Sequence, residues 1–183
     1  LGFMADGYAR LSGRPGVCFT ITGPGLTNIA TAMGQAYGDS IPLLVISSQN
    51  RRGEAGSGRG FLHELPNQQA LASQVAAASF VIREPADLPK ALDQAFAIFT
   101  SRRPRPVYIE IPLDLLTADA TGLPLPAPRL RPAVPPADLL DAAASRLRSA
   151  RCPVVLAGGG ALRAVADLRR LVEHLGAPLV MTT

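Results

Sequence analysis

The segment Val17-Cys-Phe-Thr-Ile-Thr22-Gly-Pro-Gly-Leu-Thr-Asn28 joins an apolar run to the start of a helix through two glycines and a proline. The run 17–22 is apolar rather than alternating, which reads as a strand of a sheet covered on both faces. Pro24 suits the first turn of a helix, and that helix runs to about Tyr37. Similar short apolar runs follow at Pro42–Ser47, Phe80–Arg83 and Pro106–Ile111. Helical stretches separate them: one around Gln68–Ala77, and one capped by Asp87 that runs to about Ser101. Strands alternating with helices predict an α/β fold, a parallel sheet flanked by helices.

On the amino-terminal side, Leu1 to Arg10 reads as a helix without a capping residue, with Phe3, Met4 and Tyr8 spaced for one apolar face. On the carboxyl-terminal side, Pro112, Pro124, Pro126, Pro128, Pro132, Pro135 and Pro136 fit neither a helix interior nor a central strand, which predicts an extended linker. Beyond it come a helix at Asp138–Ser149 with Leu139, Leu140, Ala143 and Leu147 on one face, and a strand at Val154–Ala157. A Gly158-Gly-Gly160 turn, a helix at Leu162–Leu175 and a strand at Leu179–Met181 complete the pattern. The reading is a domain over 1–111, a Pro-rich linker over 112–136, and the first half of a second Rossmann-like α/β domain over 137–183. Because Leu1 stands inside a helical pattern and Thr183 follows a strand directly, a piece of a longer protein is expected.

Of the 183 residues, 48% are hydrophobic and 17% charged, which excludes a disordered polar chain. No apolar run reaches the roughly 18 residues of a membrane span. The two cysteines, Cys18 and Cys152, are too few for a disulfide framework or a four-cysteine zinc site, so a cytoplasmic, reducing setting is expected. The net charge of +4 comes from scattered arginines and a single lysine, Lys90. No aromatic residues interleave with them, so neither nucleic acid nor membrane is an expected partner.

The first candidate site is the turn at Gly23, Pro24, Gly25 and Asn28. Glycines there let a ligand approach the backbone, and the helix N-terminus suits a polar or anionic group. Asn28 stands where the dinucleotide fingerprint has its third glycine, and a tight turn with nothing bound would use the same residues. Gly158–Gly160 is a second glycine turn, which a plain strand-to-helix connection also explains. The loop 48–66 carries Arg51, Arg52, Arg59, His63 and Glu64, and long loops inside compact domains are commonly functional. His63 is the better candidate proton carrier, since His174 falls near the end of an amphipathic helix.

Read together, Met4-Ala-Asp-Gly-Tyr-Ala-Arg10, Ser12-Gly-Arg-Pro-Gly-Val17 and Gly23-Pro-Gly-x-x-Asn28 resemble the thiamine diphosphate enzymes of the acetolactate synthase type. So do Ala36-Tyr-x-Asp39-Ser-x-Pro42-Leu-Leu-Val-Ile46 and Arg103-Pro-x-Pro-Val-Tyr-Ile-Glu-Ile-Pro112. The resemblance covers nearly the whole chain in order. It implies that 1–111 is most of a pyrimidine-binding domain of the thiamine diphosphate-binding fold, and that 137–183 begins the central domain. It also implies a chemistry in which the thiazolium attacks a 2-keto acid and holds the electrons released with carbon dioxide, giving an aldehyde or an acyl transfer.

By the same resemblance Gly23, Pro24, Gly25, Asn28 and Gln49 line the pyrimidine side. The glutamate that activates the ring is expected before Leu1, and the diphosphate with its Mg2+ in a domain outside this chain. The 183 residues alone are accordingly expected to be inactive, and the intact protein to be a homodimer or homotetramer. The Gly158 region contacts FAD in some members, which leaves FAD undecided. Two departures stand out. Phe61-Leu-His-Glu64 replaces Ala-Phe-Gln-Glu, and Ser47-Ser48 replaces Thr-Gly before Gln49. His63 could then move protons where the amide could not, and the branch acting on 5-guanidino-2-oxopentanoate (2-ketoarginine) fits better than acetolactate synthase itself. A nucleotide-binding Rossmann module and a non-catalytic paralogue are the alternatives.

Overall fold

A computed structural model describes residues 1–124 and 134–182. The chain divides into two compact units, Leu1–Pro132 and Ala133–Thr183. Of the linker prolines, Pro126, Pro128 and Pro132 lie outside the described residues.

In the first unit, helix α1 (Gly2–Ser12) leads into strand β1 (Gly16–Thr20), followed by α2 (Pro24–Asp39), β2 (Leu43–Gln49), α3 (Gln68–Ser73), β3 (Ala78–Val81), α4 (Asp87–Ser101) and β4 (Val107–Pro112). The four strands form a parallel sheet in the order β1-β2-β4-β3, with Cys18 beside Val45, Val45 beside Tyr108, and Phe80 beside Ile109. The chain steps outward through α2 and α3 on one face, then reverses through α4 on the other, as right-handed crossovers require. Leu26, Ile29, Met33, Ala72, Val45 and Tyr108 fill the first face; Leu44, Ile109, Ala91, Ala95 and Phe99 fill the second. This topology lines up the carboxyl ends of β1, β2 and β4.

Several expectations are corrected. The buried face of α1 is Gly2, Ala5, Asp6 and Ala9, whereas Phe3, Met4 and Tyr8 are exposed. Small residues win because the helix lies very close to its neighbours. A Cβ on Gly2 would come within 2.6 Å of the Ala32 side chain, and one on Gly16 within 2.3 Å of the Ala5 carbonyl oxygen. Asp6 pays for burial through a 2.6 Å ion pair with Arg10, which also bonds Asp39 at the end of α2 at 2.6 Å. Among the described residues, strand β1 is covered on one face only: Phe19 is 71% exposed, because the second-face cluster under α4 gathers side chains of β2, β3 and β4 and none of β1. Helix α3 ends at Ser73, short of Ala77. Asp87 is the first helical residue of α4 rather than its cap, and its carboxylate accepts from the N–H groups of Arg83 and Glu84 in the preceding turn.

In the second unit, α5 (Ala137–Ser149), β5 (Val155–Ala157), α6 (Val165–Leu175) and β6 (Leu179–Met181) follow in order, and the two strands pair in parallel. The helix expected from Leu162 begins at Val165, because Gly159–Ala164 forms a 3-10 segment first. His174 is exposed, and Leu139 and Leu140 are exposed as well. No helix among the described residues is long and apolar enough to cross a membrane.

Candidate functional site

At the carboxyl end of β1 the chain turns sharply at Gly23, with φ 63° and ψ −101°, a backbone conformation that only glycine adopts without strain. Pro24 follows as the first residue of α2, and the Thr27 N–H donates to the Gly23 carbonyl at 3.0 Å to start the helix. The turn is buried at Thr22 and Gly23 and exposed at Pro24. Gly25 lies against β1, where a Cβ would meet Thr20 and Ile21 at 3.1 Å. Asn28 sits one turn into α2 with its side chain exposed.

His63 comes to this turn from a distant loop. Its carbonyl oxygen occupies the space beside Gly23, 2.2 Å from where a Cβ would stand. His63 has φ 59°, the left-handed region that few non-glycine residues enter. Its Nδ1 is buried without a hydrogen-bond partner, as is Oδ1 of Asn50, whose Nδ2 donates to the Leu62 carbonyl at 3.0 Å. Among the described residues, one unpaired buried polar atom thus lies on the residue that packs against the glycine turn, and a second on the residue that holds its neighbour Leu62. Such atoms are costly unless a ligand or water pairs them.

Glu64 holds the loop together. Its carboxylate accepts from the N–H groups of Gly58 (2.8 Å), Gly60 (2.9 Å) and Phe61 (3.0 Å) and from the Ser57 hydroxyl (3.0 Å). Desolvation pushes its carboxyl pKa up, but those donations outweigh it and hold the group below the usual carboxylate range. A depressed pKa supplies stability above the ordinary glutamate value, lost as pH falls through the folded pKa. At neutral pH, Glu64→Gln is therefore expected to make trypsin cleave after Arg59 several-fold faster. Wild-type amide protection at Gly58 and Gly60 should persist through the ordinary glutamate range and fall only at lower pH. Equal cleavage rates would show that the carboxylate does not order the loop. Arg52 also ties the loop, bonding Asp114 just beyond β4 at 2.6 Å.

Beneath the turn lies a buried polar network that the sequence did not single out. Glu110 on β4 is 4% exposed. It accepts from Gln49 Nε2 at 3.1 Å, the Tyr108 hydroxyl at 3.1 Å and Gln68 Nε2 at 3.3 Å. Gln68 also donates to the Tyr108 oxygen at 2.7 Å and the Ser48 carbonyl at 2.9 Å, while its Oε1 accepts from the Gly23 N–H at 2.6 Å. Gln49 Oε1 accepts from the Asn50 N–H at 2.7 Å. Burial pushes the Glu110 carboxyl up against the pull of its donors. Burial, then the neighbouring Glu110 charge, pushes the Tyr108 phenol up. The available signal was a tyrosine and a glutamate two residues apart in the apolar strand Val107–Pro112, since unpaired glutamate is rarely buried.

The structure therefore brings Gly23, Pro24, Gly25 and His63 together and links Gln49 to the turn through Glu110 and Gln68. Gly158–Gly160 belongs to the second unit, where Gly159 opens the 3-10 segment.

A glycine turn at the carboxyl end of a parallel strand, beside a neighbouring strand that carries a buried polar cluster, is where α/β proteins commonly place their ligand sites. Residues 1–71 match the N-terminal TPP binding domain of thiamine pyrophosphate enzymes, and residues 140–183 match their central domain. The chain belongs to the thiamine pyrophosphate enzyme family. It is 54% identical over 180 residues to a probable 2-ketoarginine decarboxylase of Pseudomonas aeruginosa, covering 97% of this chain and 32% of that protein. It is 34% identical over 183 residues to the acetolactate synthase isozyme 1 large subunit of Escherichia coli, covering 99% of this chain and 32% of that one. A solved structure of a candidate thiamin diphosphate-dependent enzyme from Mycobacterium smegmatis superposes with a TM-score of 0.75 at 26% identity, over 100% of this chain and 35% of that one. The chain thus spans about a third of the length of these relatives.

Proposed function

We propose that this chain forms the pyrimidine side of a thiamine diphosphate site in an enzyme acting on 2-keto acids, by decarboxylation to an aldehyde or by acyl transfer. The observation that carries this reading is the pair of unpaired buried atoms, His63 Nδ1 on the residue packed against Gly23 and Asn50 Oδ1 on the residue that holds the adjoining Leu62 carbonyl. An aminopyrimidine presents both donors and acceptors on its edge, so it fits such a mixed set. When bound, thiamine diphosphate supplies the electron sink for the carbon–carbon bond that breaks as carbon dioxide leaves. Gly23, Pro24, Gly25 and Asn28 shape the wall of the pyrimidine site, and Gln49 is held behind it. His63 moves the proton that an aldehyde product requires. The diphosphate and Mg2+ are assigned to a domain outside this chain, and the site to an oligomer of like subunits.

Two features favour a keto acid with a guanidino side chain over pyruvate: the higher identity to the probable 2-ketoarginine decarboxylase, and His63 in place of the resemblance's glutamine. The test is the full-length protein with thiamine diphosphate and Mg2+, offered 5-guanidino-2-oxopentanoate or pyruvate, with carbon dioxide, aldehyde and acetolactate measured. Carbon dioxide with aldehyde from the guanidino acid is the expected result. Acetolactate from pyruvate would replace the narrower reading, and no turnover of either acid together with no cofactor binding would overturn the whole.

A further inference from the structure

We infer that Glu110 is a positioning residue that fixes the Gly23 turn through Gln68 and the end of β2 through Gln49. The inference deepens the proposed function, because it rests on the Gly23 turn receiving the cofactor.

The argument is one of hydrogen-bond direction. A side-chain amide offers an acceptor at one end and donors at the other, and a half-turn exchanges them. In Gln68 the oxygen accepts from the Gly23 N–H and in Gln49 from the Asn50 N–H, so both NH2 groups must find acceptors inside the protein. Gln49 finds Glu110 directly. Gln68 finds the Tyr108 oxygen, whose own hydrogen goes on to Glu110, and reaches Glu110 itself at a longer distance. Every donation in the set, the branch to the Ser48 carbonyl aside, runs toward one carboxylate. An ionised carboxylate is acceptor-only, which is what the convergence of Gln49 and Tyr108 demands; the two hydrogens of the Gln68 NH2 go to the Ser48 carbonyl and the Tyr108 oxygen, so its 3.3 Å approach to Glu110 is a shared contact. An amide in its place would set an NH2 against one of these donors and leave one of the two glutamines free to turn over. The backbone N–H of Gly23 or Asn50 would then lose its acceptor in a buried setting.

The role is therefore distinct from packing. Glu110 makes no hydrogen bond to the turn or to His63 among the described residues, yet through Tyr108 it sets, together with the Ser48 carbonyl, which atom Gln68 presents to Gly23. Tyr108 and Glu110 share one face of β4, and Gln68 opens α3, so three elements converge behind the turn.

The test uses the full-length protein with the variants Glu110→Gln, Gln68→Leu and the double change. Two readouts are taken: amide exchange of the peptide spanning Gly23 without cofactor, and the apparent Kd for thiamine diphosphate with Mg2+. Both single variants should speed exchange at Gly23 and raise the Kd about tenfold or more. In Gly23 exchange the double variant should do no more than Gln68→Leu alone, because Glu110 reaches that turn through Gln68. Glu110→Asp, which keeps an acceptor-only group, should recover most of the loss and covers the case in which Glu110→Gln fails to fold. A Glu110→Gln protein with a lowered Tm but unchanged Gly23 exchange and Kd would reduce the residue to a structural one and overturn the inference, as would additive effects of the double variant on Gly23 exchange. If the wild-type protein binds no thiamine diphosphate, the proposed function fails, while exchange at Gly23 still decides whether Glu110 holds the turn.

Discussion

Replacing Gly23 with alanine is expected to lower the main thermal transition by about 10 °C or more and to abolish cofactor binding in the full-length protein. Two costs add. The first is backbone strain at φ 63° and ψ −101°, worth about 1–3 kcal/mol for a residue with a Cβ. The second is collision: the new Cβ would stand 2.2 Å from the His63 carbonyl oxygen and 3.0 Å from its carbonyl carbon. Those are backbone atoms, so no rotamer change relieves the overlap, and either the turn or the loop must move. Gly53→Ala provides the control. Gly53 also has positive φ, 83°, but open space where its Cβ would go, so it should cost only about 1 kcal/mol. Scanning calorimetry of both variants separates strain from collision. Equal shifts would mean that the loop carrying His63 yields freely.

The second large effect concerns chemistry. In the full-length enzyme, His63→Gln is expected to slow aldehyde formation about 100-fold, the lower end for a group that transfers a proton at the reacting centre. The apparent Kd for thiamine diphosphate should stay within about threefold. The split follows from how His63 is held. Its contact with Gly23 is made by its carbonyl, and the neighbouring Leu62 carbonyl is tied to Asn50, so the turn keeps both contacts when the imidazole is lost. Glutamine can make the same hydrogen bonds, yet its amide neither releases nor takes up a proton near neutral pH. An unchanged aldehyde rate would remove His63 from the chemistry, and a large loss of affinity alone would make it a binding group.

Much of the first unit was legible because its signals are local. Apolar runs bounded by glycine and proline marked the four strands of its sheet within a residue or two, and Gly23-Pro24 marked the start of α2. The errors have physical causes too. The apolar spacing of Phe3, Met4 and Tyr8 pointed to the wrong face of α1, since closeness to α2 and β1 selects glycine and alanine rather than bulk. Asp87 looked like a helix cap and instead closes the turn before the helix.

The sequence by itself determined that this is a parallel α/β protein with a glycine turn at one strand end, and its ordered motifs pointed to the thiamine diphosphate enzymes. Hydrophobic period and turn chemistry act over a few residues, so one chain suffices to read them. Only the tertiary structure decided what stands behind that turn. Gln68 lies 45 residues from Gly23 and 42 from Glu110, and no periodicity connects them. The strand order β1-β2-β4-β3 brings their ends together, and burial then compels each donor to find its acceptor. It likewise set the His63 carbonyl against Gly23, which no spacing in the chain foretells.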